Sequence, residues 1–263
     1  MDSYFTINVS VANVYSKSDF DSSVLTQALL GESCLILDSL PKWVKIRQED
    51  GYEGWLNQFY GIISNQPYDS NNICGDLNSI VYQNKDLTVP IRDLTFGNQL
   101  KTEKMKEGLR VFLPDGIQGW TSCKTRQVPN EINRKSLIIL IRKFLGCQYL
   151  WGGKSPKGFD CSGLIQTVFN AFGILLPRDS KDQSNFFGSN IIDRNITEMG
   201  DLHFFGSKGK VSHIAITAEN GKYIHCQGFV KEESFNKLDV NFNADLNTTH
   251  LHSVSIESIL KSD

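Results

Sequence analysis

The stretch FDCSGL, residues 159–164, places a cysteine between two polar residues immediately before a run of apolar residues. The apolar run recurs at helical spacing and ends before Gly173 (Leu164, Ile165, Val168, Phe169, Phe172). Cys161 is therefore predicted in the first turn of a helix, where Asp160 or Ser162 can act as the cap. Because the positive end of the helix dipole favours a thiolate, we expect a depressed pKa and a nucleophilic role for Cys161.

A cysteine nucleophile needs a base, and the base needs a partner that orients it. His203, His213 and His225 fall in three short alternating segments, residues 201–205, 211–217 and 223–226, which are predicted to be strands. His250 and His252 lie in a segment that reads as a polar tail, so they are set aside. The strand histidines are the candidates for the base.

The turn between the second and third strands selects a pair of these histidines. If Glu219, Asn220 and Gly221 form a three-residue loop, residues whose numbers sum to 440 face each other, and His225 opposes position 215. His213 is then the diagonal neighbour of His225 on the same face, about 7–8 Å away between backbones. A two-residue loop would shift the register and place the two rings on opposite faces.

The region before these strands is predicted to be helical, at residues 136–145 and again from Cys161 onward. Gly146 is a plausible C-terminal stop for the first helix. Helices followed by antiparallel strands predict an α+β domain.

The first half of the chain contains an internal repeat. DGYEGW at residues 50–55 matches DGIQGW at 115–120, and NVYSKSD at 13–19 matches IVYQNKD at 80–86. In each copy an Asp-Gly turn joins two apolar runs, which predicts a β-hairpin. The tryptophans that end the repeated hairpins, Trp55 and Trp120, are expected to fill the core of each copy.

The composition is that of a globular chain of 263 residues, with 40% hydrophobic residues, 21% charged residues and a formal net charge of −2. This balance argues against a nucleic-acid partner or a polybasic membrane patch. No apolar run approaches 18 residues and no secretory leader is visible, so we expect a cytoplasmic protein without a membrane partner. Six cysteines without a C-x-x-C pair predict free thiols rather than disulfides.

The motifs YLWGG, FDCSGL, PRDS, GDLHFF, SHIAI and YIH, in this order within residues 134–229, resemble the NlpC/P60 family of papain-like cysteine peptidases. The repeated copies resemble bacterial SH3-like (SH3b) barrels. The resemblance implies an α+β fold: a papain-like domain at 129–263 preceded by barrels at 1–66 and 67–128. It also implies the activity of endopeptidases that cleave γ-D-glutamyl–diamino acid bonds in murein-derived peptides with a free N-terminal L-alanine, for cell-wall peptide recycling.

The resemblance also implies roles for individual residues. Cys161 matches the nucleophile, His213 the base and His225 the residue that orients the base. Tyr149 matches a tyrosine that holds the oxyanion together with the backbone N–H of Cys161. Further matches are expected to line the substrate, with Asp160 contacting the free amine and Glu53 the candidate for an acidic residue supplied by an SH3b barrel (Trp151, Asp160, Ser162, Ser180, Glu53).

Other interpretations remain open. An amidase or acyltransferase would share the same fold and nucleophile. A non-catalytic SH3b cell-wall-binding protein is a third class, although the set of Cys161, His213 and His225 argues against it. A metal site of Cys161, His203 and His213 is disfavoured by the wide spacing, so neither a metal nor a cofactor is expected.

Overall fold

The computed structural model describes residues 3–129 and 132–260. The chain divides into two compact units, Met1–Gln127 and Val128–Asp263. Within the described residues, no helix has the length and apolar character needed to span a bilayer.

The first unit consists of two seven-stranded sheets. The first sheet contains β1 to β7 (Tyr4–Ile7, Val11–Tyr15, Val24–Leu29, Ser33–Leu40, Trp43–Arg47, Glu53–Asn57, Gly61–Ser64), with one 3₁₀ turn at Gln58–Tyr60. The second sheet contains β8 to β14 (Asn72–Cys74, Asn78–Tyr82, Pro90–Thr95, Gln99–Met105, Gly108–Phe112, Gln118–Thr121, Thr125–Arg126).

The strand orders of the two sheets are the same. The first runs β3-β2-β6-β5-β4-β1-β7 and the second runs β10-β9-β13-β12-β11-β8-β14. Each strand of the second sheet therefore has a number seven higher than the strand at the same position in the first sheet. The predicted internal repeat is therefore confirmed at the level of topology. Both predicted Asp-Gly hairpins form, with Gly51 at φ +84° and Gly116 at φ +82° in their turns.

The expectation that Trp55 and Trp120 fill the barrel cores is wrong, since both side chains are only half-buried. Smaller aliphatic residues and cysteines fill most of each core. They include Val44, Ile46 and Leu56 in the first barrel and Val81, Leu94 and Val111 in the second. A small barrel leaves little internal volume, which favours aliphatic side chains over two-ring ones.

The second unit contains five helices, α1 to α5, among its described residues (Arg134–Arg142, Cys161–Asn170, Ser180–Phe186, Ala244–Thr249, Glu257–Leu260), and a 3₁₀ turn at Arg194–Ile196. Strands β15 and β16 form a two-stranded sheet (Lys154–Ser155, Gly158–Phe159). Strands β17 to β22 form a six-stranded sheet of order β17-β22-β18-β19-β20-β21 (Ile191–Ile192, Leu202–Ser207, Lys210–Thr217, Lys222–Gln227, Phe229–Ser234, His250–Val254). The α+β expectation is confirmed.

Helix α1 begins and ends earlier than predicted. The Asn133 side chain accepts a hydrogen bond from the backbone N–H of Ser136 at 2.9 Å, which caps the helix two residues ahead of the first predicted turn. The helix ends at Arg142, and Gly146 with φ +84° lies in the loop beyond it.

The assignment of His250 and His252 to a polar tail is wrong. Both lie on β22, where His252 pairs with Phe204 and His250 with Phe205. The His252 ring stacks on Phe204 at 5.0 Å between ring centroids, and the His250 ring meets Phe205 edge-on at 5.6 Å. A neutral imidazole packs here as a small aromatic ring, which hydropathy alone does not reveal.

Candidate active site

Cys161 is the first residue of α2, as predicted. The Asp160 side chain caps the helix by accepting a hydrogen bond from the backbone N–H of Gly163 at 2.7 Å. Helix α2 packs against β19, and the backbone N–H of Ile214 on that strand donates a hydrogen bond to the Cys161 sulfur. The fold thus places the thiol beside the strand that carries His213.

The expected depression of the Cys161 pKa is wrong for the ligand-free site. Burial raises the pKa of the thiol to about 11, and the charge of Asp160 acts in the same direction. Hydrogen bonds from the backbone N–H groups of Ser162 and Ile214 lower it by less. The helix start favours the thiolate, but burial of the thiol outweighs it, so Cys161 needs a base to remove its proton.

The predicted register of β19 and β20 is confirmed. Ala215 faces His225, and Gly221 takes a left-handed conformation with φ +72°. His213 Nε2 lies 2.9 Å from His225 Nδ1, with the two rings nearly perpendicular at 85°. Burial, followed by the neighbouring His225, lowers the pKa of His213 to about 3. His213 is therefore neutral at physiological pH and able to accept a proton.

Sequence reasoning missed Glu233, which extends this pair. His225 Nε2 lies 3.0 Å from Glu233 Oε2. Burial opposes the charge of Glu233, but hydrogen bonds from His225, Lys231 and Asn243 outweigh it and lower the pKa of the carboxyl to about 2. Glu233 is therefore an ionised carboxylate with His225 among its donors.

This carboxylate determines which ring nitrogens carry protons. An ionised Glu233 only accepts, so Nε2 of a neutral His225 carries the proton and its Nδ1 is a free acceptor. His213 must then donate through Nε2 to His225 Nδ1, which leaves His213 Nδ1 with a free lone pair. The arrangement prepares His213 to take a proton through Nδ1.

The diagonal rule that found the histidine pair also finds Glu233. Strands β20 and β21 form a hairpin about Gly228, in which His225 faces Lys231, and Glu233 is two residues further along β21. Reading Gly228 as the turn would have placed Glu233 on the same face as His225.

Tyr149 lies with Cys161 and His213 around a cavity of about 510 Å³. Its backbone N–H donates to the Gly228 carbonyl at 2.8 Å, which holds the segment beside the β20–β21 turn. Burial, followed by the charge of Cys161, raises the pKa of Tyr149 to about 12. The phenol therefore keeps its proton at neutral pH and can donate to an oxyanion.

Asp160 is more extensively paired than the sequence suggested. Its two carboxylate oxygens lie 3.0 and 2.6 Å from the buried Arg178 guanidinium, and the Ser162 hydroxyl is 3.3 Å from one of them. The backbone N–H groups of Gly152 and Gly163 also donate to this carboxylate. A substrate amine at Asp160 would share the carboxylate with Arg178, a residue of the PRDS motif to which sequence reasoning gave no role.

The other residues predicted to line the substrate are spread over the chain. Trp151 is 68% exposed in the loop before α2, and Ser180 is half-buried at the start of α3. Glu53 belongs to the first unit, where it begins β6 and forms ion pairs with Lys45 at 3.1 Å and Arg47 at 2.7 Å. Hydrogen bonds from Arg47 and Lys45 lower the pKa of Glu53. The substrate roles of these residues stay predictions.

His203, a member of the alternative metal set, has both ring nitrogens occupied. Nδ1 is 2.9 Å from the Ser253 hydroxyl and Nε2 is 2.9 Å from the Thr217 hydroxyl. Over residues 3–129 and 132–260, no group of three or more potential metal ligands occurs. His203 is a buried structural residue of β18 in this arrangement.

Comparison with family models finds one match in each unit of the chain. The NlpC/P60 family model matches residues 146–248. A model described as the bacterial dipeptidyl-peptidase SH3 domain matches residues 14–58. The first match contains Cys161, His213, His225 and Glu233.

Several relatives match over most of this chain. A γ-D-glutamyl-L-lysine dipeptidyl-peptidase of Bacillus cereus is 31% identical over 225 residues, which is 76% of this chain and 66% of that relative. Its namesake from Bacillus subtilis is 26% identical over 78% of this chain and 73% of the relative. The dipeptidyl-peptidase 6 of Lysinibacillus sphaericus is 26% identical over 91% of this chain and 94% of its own length.

A crystal structure of an NlpC/P60 family protein from Bacillus cereus superposes with a TM-score of 0.83. The match covers 96% of this chain and 99% of the other at 23% identity. At this identity the match shows a shared fold within each unit.

Proposed function

Because the chain belongs to the NlpC/P60 family of cysteine peptidases through residues 146–248, we propose that it hydrolyses the γ-D-glutamyl–diamino acid bond of murein peptides with a free N-terminal L-alanine. The observation that supports this activity most directly is the series of contacts between His213, His225 and Glu233 beside the Cys161 thiol. The names of the Bacillus relatives support the choice of bond.

The first half of the reaction forms a thioester. His213 Nδ1 takes the proton from the Cys161 thiol as the sulfur attacks the γ-carbonyl carbon. The backbone N–H of Cys161 and the hydroxyl of Tyr149 donate hydrogen bonds to the resulting oxyanion. The C–N bond then breaks, and the leaving α-amine of the diamino acid takes the proton from His213.

The second half releases the dipeptide. Water attacks the thioester carbon and gives a proton to His213 Nδ1. The C–S bond breaks and the thiolate of Cys161 recovers that proton. In both halves Glu233 stabilises the protonated histidine pair without itself changing charge.

A free substrate amine is the second part of this proposal. Asp160 lies beside Cys161, and a substrate ammonium that bonds to its carboxylate would replace one of the present donors, such as the Ser162 hydroxyl at 3.3 Å. We place the work of the enzyme in the cytoplasm, on peptides released from murein for recycling. The six cysteines, all free thiols in the structure, fit a reducing compartment.

The test compares L-Ala-γ-D-Glu-L-Lys with its N-acetylated form, with the full chain and with Cys161→Ser as the control. We expect release of lysine from the free peptide, a kcat/KM at least about a hundredfold lower for the acetylated peptide, and no release by the variant. Equal cleavage of both peptides, or of intact cross-linked murein, would contradict the free-amine requirement. Transfer of the acyl group to an added amine at the expense of hydrolysis would instead identify an acyltransferase.

A further inference from the structure

The cavity that contains Cys161 and His213 has an acidic residue in its wall, Asp245. It lies in the first turn of α4, Ala244–Thr249, and its side chain is exposed. It has no part in the proposed hydrolysis.

Helix α4 packs against the residues that surround His213. Leu246, the residue after Asp245, is buried in a cluster with Phe205, whose ring centroid lies 5.7 Å from that of His213. Asn243 caps the helix by accepting from the backbone N–H of Leu246, and its amide donates to Glu233 at 2.6 Å. The position of Asp245 is thereby coupled to the residues around His213.

Asp245 gives this cavity its charge. The other described residues of the lining are uncharged, since Tyr149 and Cys161 keep their protons and His213 is neutral at pH 7. Within the described chain, no ion pair or side-chain hydrogen bond engages the Asp245 carboxylate. The cavity therefore presents one unpaired negative charge to a substrate.

The sheet order shows which part of the substrate meets that charge. Tyr149, the candidate oxyanion donor, lies beside the β20–β21 turn, on one side of β19. Asp245 lies beside β18, on the other side of β19 and of His213. Because His213 protonates the leaving amine, the leaving residue extends past His213 toward β18 and α4.

We propose that Asp245 binds the side-chain ammonium of the diamino acid that leaves, and that it selects a residue with a net positive side chain, such as lysine. This assignment rests on the proposed function and specifies the residue by which the same site recognises its leaving group. A diaminopimelate side chain carries a carboxylate next to its ammonium, so its net charge is zero and the attraction is weaker. An uncharged side chain is not repelled by the Asp245 carboxylate, but it gains no ionic attraction from it.

The experiment measures kcat/KM for L-Ala-γ-D-Glu-L-Lys and for the same peptide with norleucine in place of lysine, which lacks the ammonium. For the unmodified full chain we expect lysine to be preferred by about fivefold at low salt, as for a partly exposed ion pair. The preference for lysine over norleucine should decrease as added salt shortens the Debye length below about 10 Å. In Asp245→Asn the two peptides should become equal, and in Asp245→Lys norleucine should be preferred.

The matched control is Asp182→Asn, which removes another exposed aspartate from the first turn of a short helix of the same unit, outside the cavity lining. Its lysine preference should equal that of the unmodified chain. An unchanged preference in Asp245→Asn, with both peptides still cleaved, would overturn the role of Asp245 and leave the proposed function intact. Failure of the unmodified chain to cleave either peptide would overturn the proposed function, and the assignment of Asp245 with it.

Discussion

At the level of single residues, Cys161 and His213 are both uncharged at neutral pH in the ligand-free cavity that they line. Burial disfavours the charged form of each, which raises the pKa of Cys161 to about 11 and lowers the pKa of His213 to about 3. A neutral pair avoids holding an ion pair in a buried site before the substrate arrives. In the proposed reaction, the charges on the two residues develop together during attack on the carbonyl.

This neutral pair predicts a pH dependence for alkylation. Because the folded pKa of Cys161 lies above the ordinary value for cysteine, the thiolate fraction rises as pH increases toward 11 and is small at pH 7. The rate of Cys161 labelling by iodoacetamide should therefore climb steadily from pH 7 to pH 10, as measured by peptide mass spectrometry. A rate that levels off below pH 7 would indicate a preformed thiolate.

The two histidines are expected to differ in importance. His213→Ala removes the proposed base, so kcat should fall by about a thousandfold or more. His225→Asn or His225→Gln keeps a polar partner for His213 and should be milder. Steady-state kinetics at pH 7 make the comparison, and full activity in His213→Ala would refute its assignment as the base.

Glu233 allows a sharper test, because glutamine can donate as well as accept. In Glu233→Gln the side-chain amide can donate to His225 Nε2, which moves the protons so that His213 Nδ1 carries one and cannot act as the base. We expect kcat to fall about a hundredfold or more at pH 7, with little change in thermal stability. Glu233→Asp should retain more activity because it remains acceptor-only.

The neighbouring Glu232 supplies the control for that experiment. It lies on the same strand but pairs with Arg142 at 3.0 Å and Lys222 at 3.5 Å, away from His225. Glu232→Gln should leave kcat close to that of the unmodified chain. Equal losses in the two variants would show that Glu233 acts through general stability of β21 rather than through proton placement.

Among the secondary-structure elements, β18 buries a histidine, His203, in uncharged form. Burial, followed by the charges of His250 and Arg194, lowers the pKa of His203 to about 3, against about 6.5 in an unfolded chain. Between these values the unfolded state binds more protons, so stability falls as pH decreases from about 6.5 toward 3.

The consequence is a specific acid sensitivity. His203 should contribute a slope of about 1.4 kcal/mol per pH unit in the free energy of unfolding across that window. His203→Gln keeps polar atoms near Ser253 and Thr217 but does not titrate, so its stability should fall less steeply between pH 7 and pH 5. Urea unfolding at several pH values measures the slopes, and parallel slopes would contradict the prediction.

The sequence predicts elements well where a turn residue determines the geometry. Gly221 forces one loop length, so the pairing of Ala215 with His225 and the contact of His213 with His225 follow from counting. Strand β22 has no such signal. Its histidines are polar in the sequence pattern, and only the pairing with Phe204 and Phe205 shows that they belong to the sheet. The Cys161 pKa was mispredicted for the same kind of reason, since its burial comes from a strand fifty residues away in the chain.

At the scale of the whole chain, the two repeated barrels of the first unit pack against each other because each is small. A domain of about 60 residues buries only about 60% of its surface and is marginally stable alone. Leu30, just after β3, is buried in the core of the second barrel, and the backbone N–H of Gln99 donates to its carbonyl at 2.8 Å. A Cβ on Gly31 would stand 2.3 Å from the Gln99 carbonyl oxygen, so this close approach requires glycine.

Asn98 adds a second link between the two barrels and predicts that they unfold cooperatively. Its fully buried amide donates to the Ser10 carbonyl of the first barrel at 2.8 Å and accepts from the backbone N–H of Thr95 in the second at 2.9 Å. Asn98→Ala leaves both groups unpaired, which should cost about 2–3 kcal/mol. Because the two groups belong to different barrels, hydrogen exchange should accelerate in both.

Asn84→Ala is the control, since Asn84 bonds only within a turn of the second barrel. If Asn98→Ala accelerated exchange in the second barrel alone, the barrels would be independent folding units and the shared contact would carry no stability.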